Sequence, residues 1–272
     1  MHSRWLLPEA ADPAAVAVLC RELNLPPLLC RLLVARGHRD VESAKRFLRP
    51  RLDQLHDPST LGDLDLAVDR IVRAIRDHET ILVHGDYDVD GISSATILTR
   101  TLRWLGGSVV PFIPHRRDGY DLTSAGVQAA KDAGARLVIT CDCGTSALAP
   151  IADLRASGVD VIVTDHHLPG GPLPAAFAVL NPRKPGCPSL DKDLCAAGVA
   201  YKLAMAVTRA MGASPNPVYN MIDLVALATI ADVAPLRGEN RILAWCGLRV
   251  FNETKNAGLS ALRRASGLEK KR

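Results

Sequence analysis

The spacing of apolar residues before residue 80 predicts helices. Hydrophobic side chains recur every three to four positions in four short segments, which is the period of an amphipathic helix. These segments are residues 14–23, 27–35, 41–47 and 66–77. Loops that contain Pro50, Pro58 and Gly62 separate the later ones. We therefore predict a helical N-terminal preface, residues 1–78, that packs on the core and carries no catalytic residue.

From Thr80 onward the pattern changes to short, continuous runs rich in β-branched residues, which is typical of strands buried on both faces. The runs are residues 81–83, 109–113, 137–140, 159–164 and 178–180. Between them lie amphipathic stretches, residues 93–105, 124–133 and 147–156, each with a glycine one or two residues beyond its end. This alternation predicts an α/β fold, with a parallel five-stranded sheet and helices on both faces.

After Pro182 the chain has no clear period until it becomes helical again. The later helical segments are residues 196–211, 219–231 and 240–251. We predict a core domain over residues 79–255. Residues 256–272 are expected to form a basic C-terminal tail or the start of a connecting helix.

Composition narrows the functional classes only slightly. Of the 272 residues, 48% are hydrophobic and 23% are charged, as in ordinary globular proteins. The net charge of +4 is a weak indication of a polyanionic partner.

No apolar run approaches the roughly 20 residues of a membrane span, and the apolar segment at the N-terminus is too short for a signal peptide. The seven cysteines are odd in number and form no CxxC pair, so the sequence supports neither a zinc ribbon nor a disulfide framework. We expect a cytoplasmic protein without membrane association.

Residues able to bind metals follow three of the predicted strands. The segments are HGDYDVDG (residues 84–91), CDCG (141–144) and TDHH (164–167). In doubly wound sheets the carboxyl ends of the parallel strands meet at one edge, where ligands bind. We therefore expect one cluster that contains His84, Asp86, Asp88, Asp90, Asp142, Asp165, His166 and His167.

Clustered carboxylates repel one another unless protons or cations neutralise them. Carboxylates together with imidazoles suit Mn²⁺ or Mg²⁺, and this number of ligands is enough for two ions that share a carboxylate, as in phosphoryl-transfer sites. Asp86, Asp88 and Asp90 alternate, so in an extended loop their side chains are expected to point the same way. The cluster therefore predicts an enzyme that cleaves phosphate esters.

These motifs, followed by ALATIADV at residues 226–233, resemble the DHH phosphoesterase superfamily. Within it the chain is similar to the RecJ type of single-strand-specific 5′ exonucleases from about residue 61 to residue 251. Further matches to that type are the segments 113–123, 181–188, 195–204 and 238–242. The resemblance implies a metal-dependent 5′-to-3′ exonuclease that acts on single-stranded DNA in repair and recombination, with helicases or single-strand-binding proteins as possible partners.

The resemblance also implies two sets of ligands for two Mn²⁺ or Mg²⁺ ions. The first set is His84, Asp88 and Asp142, and the second is Asp90, Asp142, His166 and Asp232. Asp142 would bridge the two ions, and Asp223 is an alternative to Asp232 on the same predicted helix. His167 is similar to the imidazole that contacts the phosphate, so it is expected to be catalytic together with Asp142 and Asp165.

The remaining polar residues are expected either to orient the metal ligands or to contact the substrate. Asp165 and Asp86 are expected to orient the ligands rather than bind the metal, because such carboxylates accept the free N–H of a ligating imidazole. Arg116 and Arg117 follow the second predicted strand and are expected to contact substrate phosphates, although they are equally well explained as solvated loop charges. Ser93 opens a helix whose backbone N–H groups can bind an anion.

Three alternatives stay open. The first is a DHH enzyme for pyrophosphate, short oligonucleotides or cyclic dinucleotides; the GISS, IPHR and preface segments favour single-stranded DNA instead. The second is a non-catalytic DHH scaffold, and the third is a hydrolase that uses Cys141 or Cys143 with His166. RecJ-type proteins continue into a second domain and commonly an OB-fold, whereas this chain ends at Arg272. We therefore expect metal binding to be complete and processive DNA degradation to need more chain.

Overall fold

The computed structural model describes residues 11–268, which form two compact units. The first unit ends at Gln54 and the second begins at Leu55. Within its described part, the first unit contains α1 (Pro13–Leu23), α2 (Pro27–Ala35) and α3 (Val41–Leu48). Its small core consists of Val16, Leu19, Cys30, Leu33, Val34 and Ala44. The packing of this unit on the core domain stays a prediction.

The second unit alternates strands and helices. Its strands are β1 (Thr80–Gly85), β2 (Ser108–Phe112), β3 (Leu137–Cys141), β4 (Asp160–Thr164) and β5 (Ala178–Leu180). The helices that precede β5 in the chain are α4 (Leu64–Arg76), α5 (Val89–Trp104), α6 (Ser124–Asp132) and α7 (Leu148–Ala156). Those that follow it are α8 (Ala196–Ala210), α9 (Asn216–Tyr219), α10 (Ile222–Ala231), α11 (Gly238–Asn252) and α12 (Ala257–Ala265).

The five strands form one parallel sheet in the order β2-β1-β3-β4-β5. Successive residues of each strand face opposite sides of it. Ile81, Val83 and Ile139 pack with α4, α5, α8 and α10, whereas Leu82 and Val138 pack with α6 and α7. This confirms the predicted parallel sheet with helices on both faces. The strand that follows β1 in the chain, β2, lies on one side of β1, and the next strand, β3, lies on the other side. The strand order therefore reverses at β1 and β3, and ligands bind beyond the carboxyl ends of the strands at such a point.

Helix α4 belongs to the second unit, although the sequence pattern placed it in the preface of residues 1–78. Its apolar face, with Ala67, Ile71 and Ile75, is buried in the same core as Ile81. The boundary between the units therefore lies at residues 54 and 55, not at 78 and 79.

The segment expected to form a basic tail or the start of a connecting helix contains a helix. Helix α12 begins after Asn256, whose side chain accepts a hydrogen bond from the N–H of Gly258 at 3.0 Å. Leu259 of this helix is buried in the main core. Residues 269–272 of the predicted tail lie outside the described residues. Between residues 11 and 268, none of the helices combines the length and the apolarity required to span a bilayer.

A buried arginine joins α4 to the edge of the sheet where the strands begin. The side chain of Arg70 is 4% exposed and forms ion pairs of 2.6 Å with Glu79 and with Asp160. It also donates a hydrogen bond to the carbonyl oxygen of Arg136 at 3.2 Å.

We expect Arg70→Ala to lower the free energy of unfolding by about 2–3 kcal/mol, because the partly buried carboxylates of Glu79 and Asp160 lose their positively charged partner. Arg73→Ala, an exposed residue of the same helix, is the control and should change it by less than about 0.5 kcal/mol. Urea unfolding followed by circular dichroism measures both. Equal stability of the two variants would contradict a structural role for Arg70.

Candidate metal centre

Three aspartates stand directly beyond neighbouring strands, where the ladder of the sheet continues into the loops. The N–H of Asp86 donates to the carbonyl oxygen of Cys141 at 3.1 Å, and that of Asp142 donates to Thr164 at 2.9 Å. The N–H of Asp165 donates to Leu180 at 3.0 Å. Because the strands are parallel and in register, these bonds hold the three loop entrances side by side.

The described residues contain three groups of side chains able to hold a metal ion, and the ligand atoms of each group lie within 4.8 Å of one another. The groups are Asp86, Asp88 and Asp142; Asp90, His166 and Asp232; and Asp142, His166 and His167. Asp142 and His166 each belong to two groups, so the three adjoin. Carboxylate oxygens with few imidazoles are the donor set that Mn²⁺ and Mg²⁺ prefer.

Asp88 is the N-cap of α5. Its Oδ1 atom accepts hydrogen bonds from the N–H groups of Asp90 at 2.9 Å and Gly91 at 3.0 Å. The helix begins at Val89, so the expected extended loop, with three aspartates pointing the same way, is wrong. Asp90 lies in the first helical turn and joins a different group from Asp86 and Asp88. The turn packs so tightly that a Cβ atom on Gly91 would lie 2.5 Å from the backbone of Asp86.

Asp90 is fully buried and is held by a helix distant in sequence. Its two carboxylate oxygens accept hydrogen bonds from the N–H groups of Ala196 at 2.8 Å and Ala197 at 2.7 Å, in the first turn of α8. Its Oδ2 atom also lies 3.7 Å from Nε2 of His166. Burial raises the pKa of Asp90 to about 6 despite these donors.

Asp142 occupies the centre of the cluster. Its backbone has a φ of +64°, which is uncommon for a residue with a side chain. Its Oδ1 atom lies 3.1 Å from Nε2 of His166. Burial, followed by the charges of Asp90 and Asp88, raises its pKa to about 10. Such a carboxyl holds a proton until a cation replaces it.

Asp86 has two buried carboxylate oxygens without a hydrogen-bond partner among the described residues. Burial raises its pKa as well. Unpaired buried oxygens are costly, and a bound cation would satisfy them. The residue assigned from the sequence to a supporting role thus has the environment of a ligand.

His84 lies outside all three groups of the described residues. It follows Leu82 on the side of the sheet that faces α6, where a Cβ atom on Gly126 would come within 2.6 Å of its ring. Its Nδ1 atom lies 3.6 Å from Sγ of Cys143. Burial lowers the pKa of His84 to about 4, so the ring is neutral at physiological pH.

His167 and Asp165 form a hydrogen-bonded pair at the exposed edge of the cluster. Nδ1 of His167 lies 2.8 Å from Oδ1 of Asp165, and this bond raises the pKa of His167 to about 9. Burial acts to raise the pKa of Asp165, but hydrogen bonds from His167 and Thr145 lower it to about 2. Asp165 also accepts the N–H of His166 at 2.7 Å, so it orients the loop that carries both histidines.

Two supporting residues were not predicted. Asn181, directly beyond β5, is buried and donates to the carbonyl oxygen of His167 at 2.8 Å and to Oγ1 of Thr145 at 3.0 Å. The hydroxyl of Tyr120 lies 3.0 Å from Nε2 of His167. The signal for Asn181 was available, because it is a polar residue that follows a strand as the motif aspartates do.

The predicted substrate residues lie beside the first motif. The guanidinium of Arg116 stacks 4.5 Å from the centroid of the Tyr87 ring, and Ser93 lines a cavity together with Asp88 and Arg116. Arg117 is exposed in the same short turn as Arg116.

The structure separates the two aspartates of helix α10 that the sequence left as alternatives. Asp232 lies at the helix end in a group with Asp90 and His166. Asp223 lies at the other end of the helix and accepts a hydrogen bond of 2.6 Å from Thr254. Among the described residues only Asp232 therefore belongs to the cluster.

The cysteines beside Asp142 are unsuited to nucleophilic chemistry. Both thiols are buried, and burial raises the pKa of Cys141 and of Cys143. A reactive cysteine needs a lowered pKa and access to substrate. The cysteine hydrolase considered from the sequence is therefore disfavoured.

The chain is similar to known proteins over most of its length. Residues 80–229 match the DHH family, N-terminal domain. The single-stranded-DNA-specific exonuclease RecJ of Bacillus subtilis is 38% identical over 265 residues, which is 97% of this chain and 33% of that protein. The Escherichia coli RecJ is 39% identical over 252 residues, covering 88% of this chain and 43% of that protein.

A solved structure of a relative has a similar fold. The RecJ of Thermus thermophilus in complex with Mn²⁺ superposes with a TM-score of 0.79 at 36% identity. The match covers 94% of this chain and 36% of that one. The chain thus spans about a third of the length of the Bacillus and Thermus relatives.

We expect Asp165→Asn to lower the pKa of His167 from about 9 toward 6.5, because the imidazolium loses its charged partner. NMR titration of the histidine Cε1–H signals in metal-free protein measures this, with His167→Gln to assign the signal. In the parent, the raised pKa contributes stability that is complete below about pH 6.5 and is lost as the pH rises to about 9. An unchanged His167 titration in Asp165→Asn would refute the assigned pair.

Proposed function

The chain belongs to the DHH family, and we propose that it carries the two-metal catalytic centre of a single-stranded-DNA-specific 5′-to-3′ exonuclease. The observation that carries this proposal is the set of three adjoining ligand groups, linked through Asp142 and His166, at the switch point of the sheet. The names and identities of the relatives support single-stranded DNA as the substrate. Action in DNA repair and recombination, partner proteins such as helicases, and a cytoplasmic location belong to the same proposal.

We assign the two metal sites as follows. Asp86, Asp88 and Asp142 would hold one ion, and Asp90, Asp142, His166 and Asp232 would hold the other. This assignment replaces His84 of the sequence-based set by Asp86, because the ligand atoms of Asp86 lie within 4.8 Å of those of Asp88 and Asp142 whereas His84 belongs to none of the three groups. Both residues have buried polar atoms without a hydrogen-bond partner among the described residues. Mn²⁺ or Mg²⁺ suits these donors, and the Thermus relative has been solved with each of them.

The protein's own residues prepare the site for a phosphodiester. Two bound divalent ions would activate a water as the nucleophile and offset the negative charge of the phosphate. His167, held protonated by Asp165, can donate its Nε2–H, which contacts the Tyr120 hydroxyl in this structure, to a phosphate oxygen. The helix α8 amides hold Asp90 in place, and Asn181 fixes the loop of His167. Preorganised groups of this kind stabilise charge without reorganising during the reaction.

Two alternatives predict different substrates. A DHH enzyme for short oligonucleotides or cyclic dinucleotides would use the same metal ligands. A scaffold that has lost catalysis would be expected to lack some of them, and the described residues retain two complete groups around Asp142 and Asp90. We therefore favour a phosphodiesterase over a scaffold.

The test is a nuclease assay with Mn²⁺ on single- and double-stranded DNA labelled at the 5′ or the 3′ end. We expect digestion of single strands from the 5′ end and a loss of at least about 10²-fold in Asp142→Asn. Asp153→Asn, an exposed residue of α7, should keep parental activity. Cleavage of pApA with inert DNA would favour the short-oligonucleotide enzyme, and equal rates for Asp142→Asn and the parent would exclude the proposed mechanism.

Metal binding should also stabilise the protein in a pH-dependent way. Asp90 and Asp142 have folded-state pKa values of about 6 and about 10, above their ordinary value of 3.8. The folded state therefore binds protons more tightly, so metal-free protein loses stability as pH rises from about 4 through 6 and toward 10.

Mn²⁺ replaces these protons, and we expect it to raise Tm more at pH 8 than at pH 5.5. Asp142→Asn should lose most of this increase, because the shared ligand is gone. Calorimetry at the two pH values with and without Mn²⁺ measures the effect. The same increase in parent and variant would show that Mn²⁺ binds elsewhere.

A further inference from the structure

An apolar groove runs away from the candidate metal centre. It is a cavity of about 510 Å³ lined by Asp88 and by residues of the first turns of α5 and of the helices α10 and α12. Tyr87, Arg116, Ile92, Leu227 and Leu259 are among its lining residues. We call it the Tyr87 groove. Its volume lies within the roughly 300–1,000 Å³ of small-molecule sites.

The chemistry of the groove suits a flat aromatic ligand. Ile92 is 45% exposed beside a cluster of carboxylates. Its apolar side chain can neither coordinate a metal ion nor donate a hydrogen bond to a phosphate. Tyr87 presents a ring that is already stacked by the guanidinium of Arg116 at 4.5 Å. Aromatic and guanidinium planes together with apolar contacts bind nucleobases by stacking, independently of sequence.

The groove is continuous with the metal centre, which decides what occupies it. Asp88 lines the mouth of the groove and also belongs to the group with Asp86 and Asp142. A phosphate held at that group would direct one of its two substituents into the groove. Arg116 supplies the only positive charge along its lining among the described residues, which complements a polyanionic strand.

We propose that the Tyr87 groove is a nucleobase subsite, which holds the base of a nucleotide joined to the scissile phosphate. The proposal rests on the phosphodiesterase function and narrows its substrates. A pyrophosphate or another phosphate without a nucleoside would leave the groove empty. The enzyme would accept any base, because the lining offers apolar and stacking surface rather than a set of base-specific hydrogen bonds.

The test compares the dinucleotide pTpT with the two analogues in which one thymine is replaced by a tetrahydrofuran abasic residue. Cleavage in Mn²⁺ is followed by chromatography. We expect one of the two replacements to lower kcat/KM of the parent about tenfold. This penalty should shrink to less than about twofold in Ile92→Gln and in Tyr87→Leu. The altered groove contributes little to binding the base, so removal of the base then changes kcat/KM only slightly. Leu248→Gln, an exposed residue of α11, should keep the full penalty.

The outcomes separate the two proposals. If the parent cleaves all three dinucleotides equally well, or if the penalty persists in both groove variants, the base does not bind in the Tyr87 groove and the subsite is refuted while the phosphodiesterase function stands. If the parent cleaves none of the three and is also inactive on single-stranded DNA, the proposed function fails and the subsite fails with it.

Discussion

Repulsion between carboxylates at neighbouring strand ends is the constraint on which the rest of the site depends. The parallel register places Asp86, Asp142 and Asp165 at adjacent loop entrances, and the first turn of α5 brings Asp90 to the same place. Little solvent reaches these groups, since Asp86, Asp90 and Asp142 are at most 2% exposed. A protein that concentrates negative charge in this way must supply protons, donors or cations to balance it.

The structure balances the charge differently at each carboxylate, and this gives one residue type several roles. Asp165 receives hydrogen bonds from the imidazole of His167 and from the backbone N–H groups of Thr145, His166 and His167, so it stays ionised and orients its loop. Asp142 has no comparable set of donors among the described residues, and its pKa rises to about 10. A carboxyl that is difficult to ionise without a cation is the natural ligand of one. The difference in environment therefore separates orienting carboxylates from metal ligands.

The same arrangement links the metal centre to the apolar surface beside it. Helix α5 begins at the metal ligands and then presents Ile92 to the Tyr87 groove, so one helix serves both a charged and an apolar site. Its N-terminal turn is held by the close packing of Gly91 on the backbone of Asp86. The first turns of α5 would thus set both where the phosphate binds and in which direction the attached nucleotide lies.

The sequence by itself determined the α/β class, the five strands and the loops that carry the motifs, because buried strands and amphipathic helices have periods that are local properties of the chain. It also placed His166, Asp142 and Asp90 at the same edge, since parallel strands bring their carboxyl ends together. Only the tertiary structure decided which atoms meet. Asp90 is held by α8 from more than 100 residues away, His84 is packed under α6, and Asp232 rather than Asp223 reaches the cluster. Helix α4 likewise belongs to the core through its apolar face with Ile71 and Ile75, and its Arg70 pairs with Asp160 of the sheet. Such choices depend on packing between distant segments, which no local period encodes.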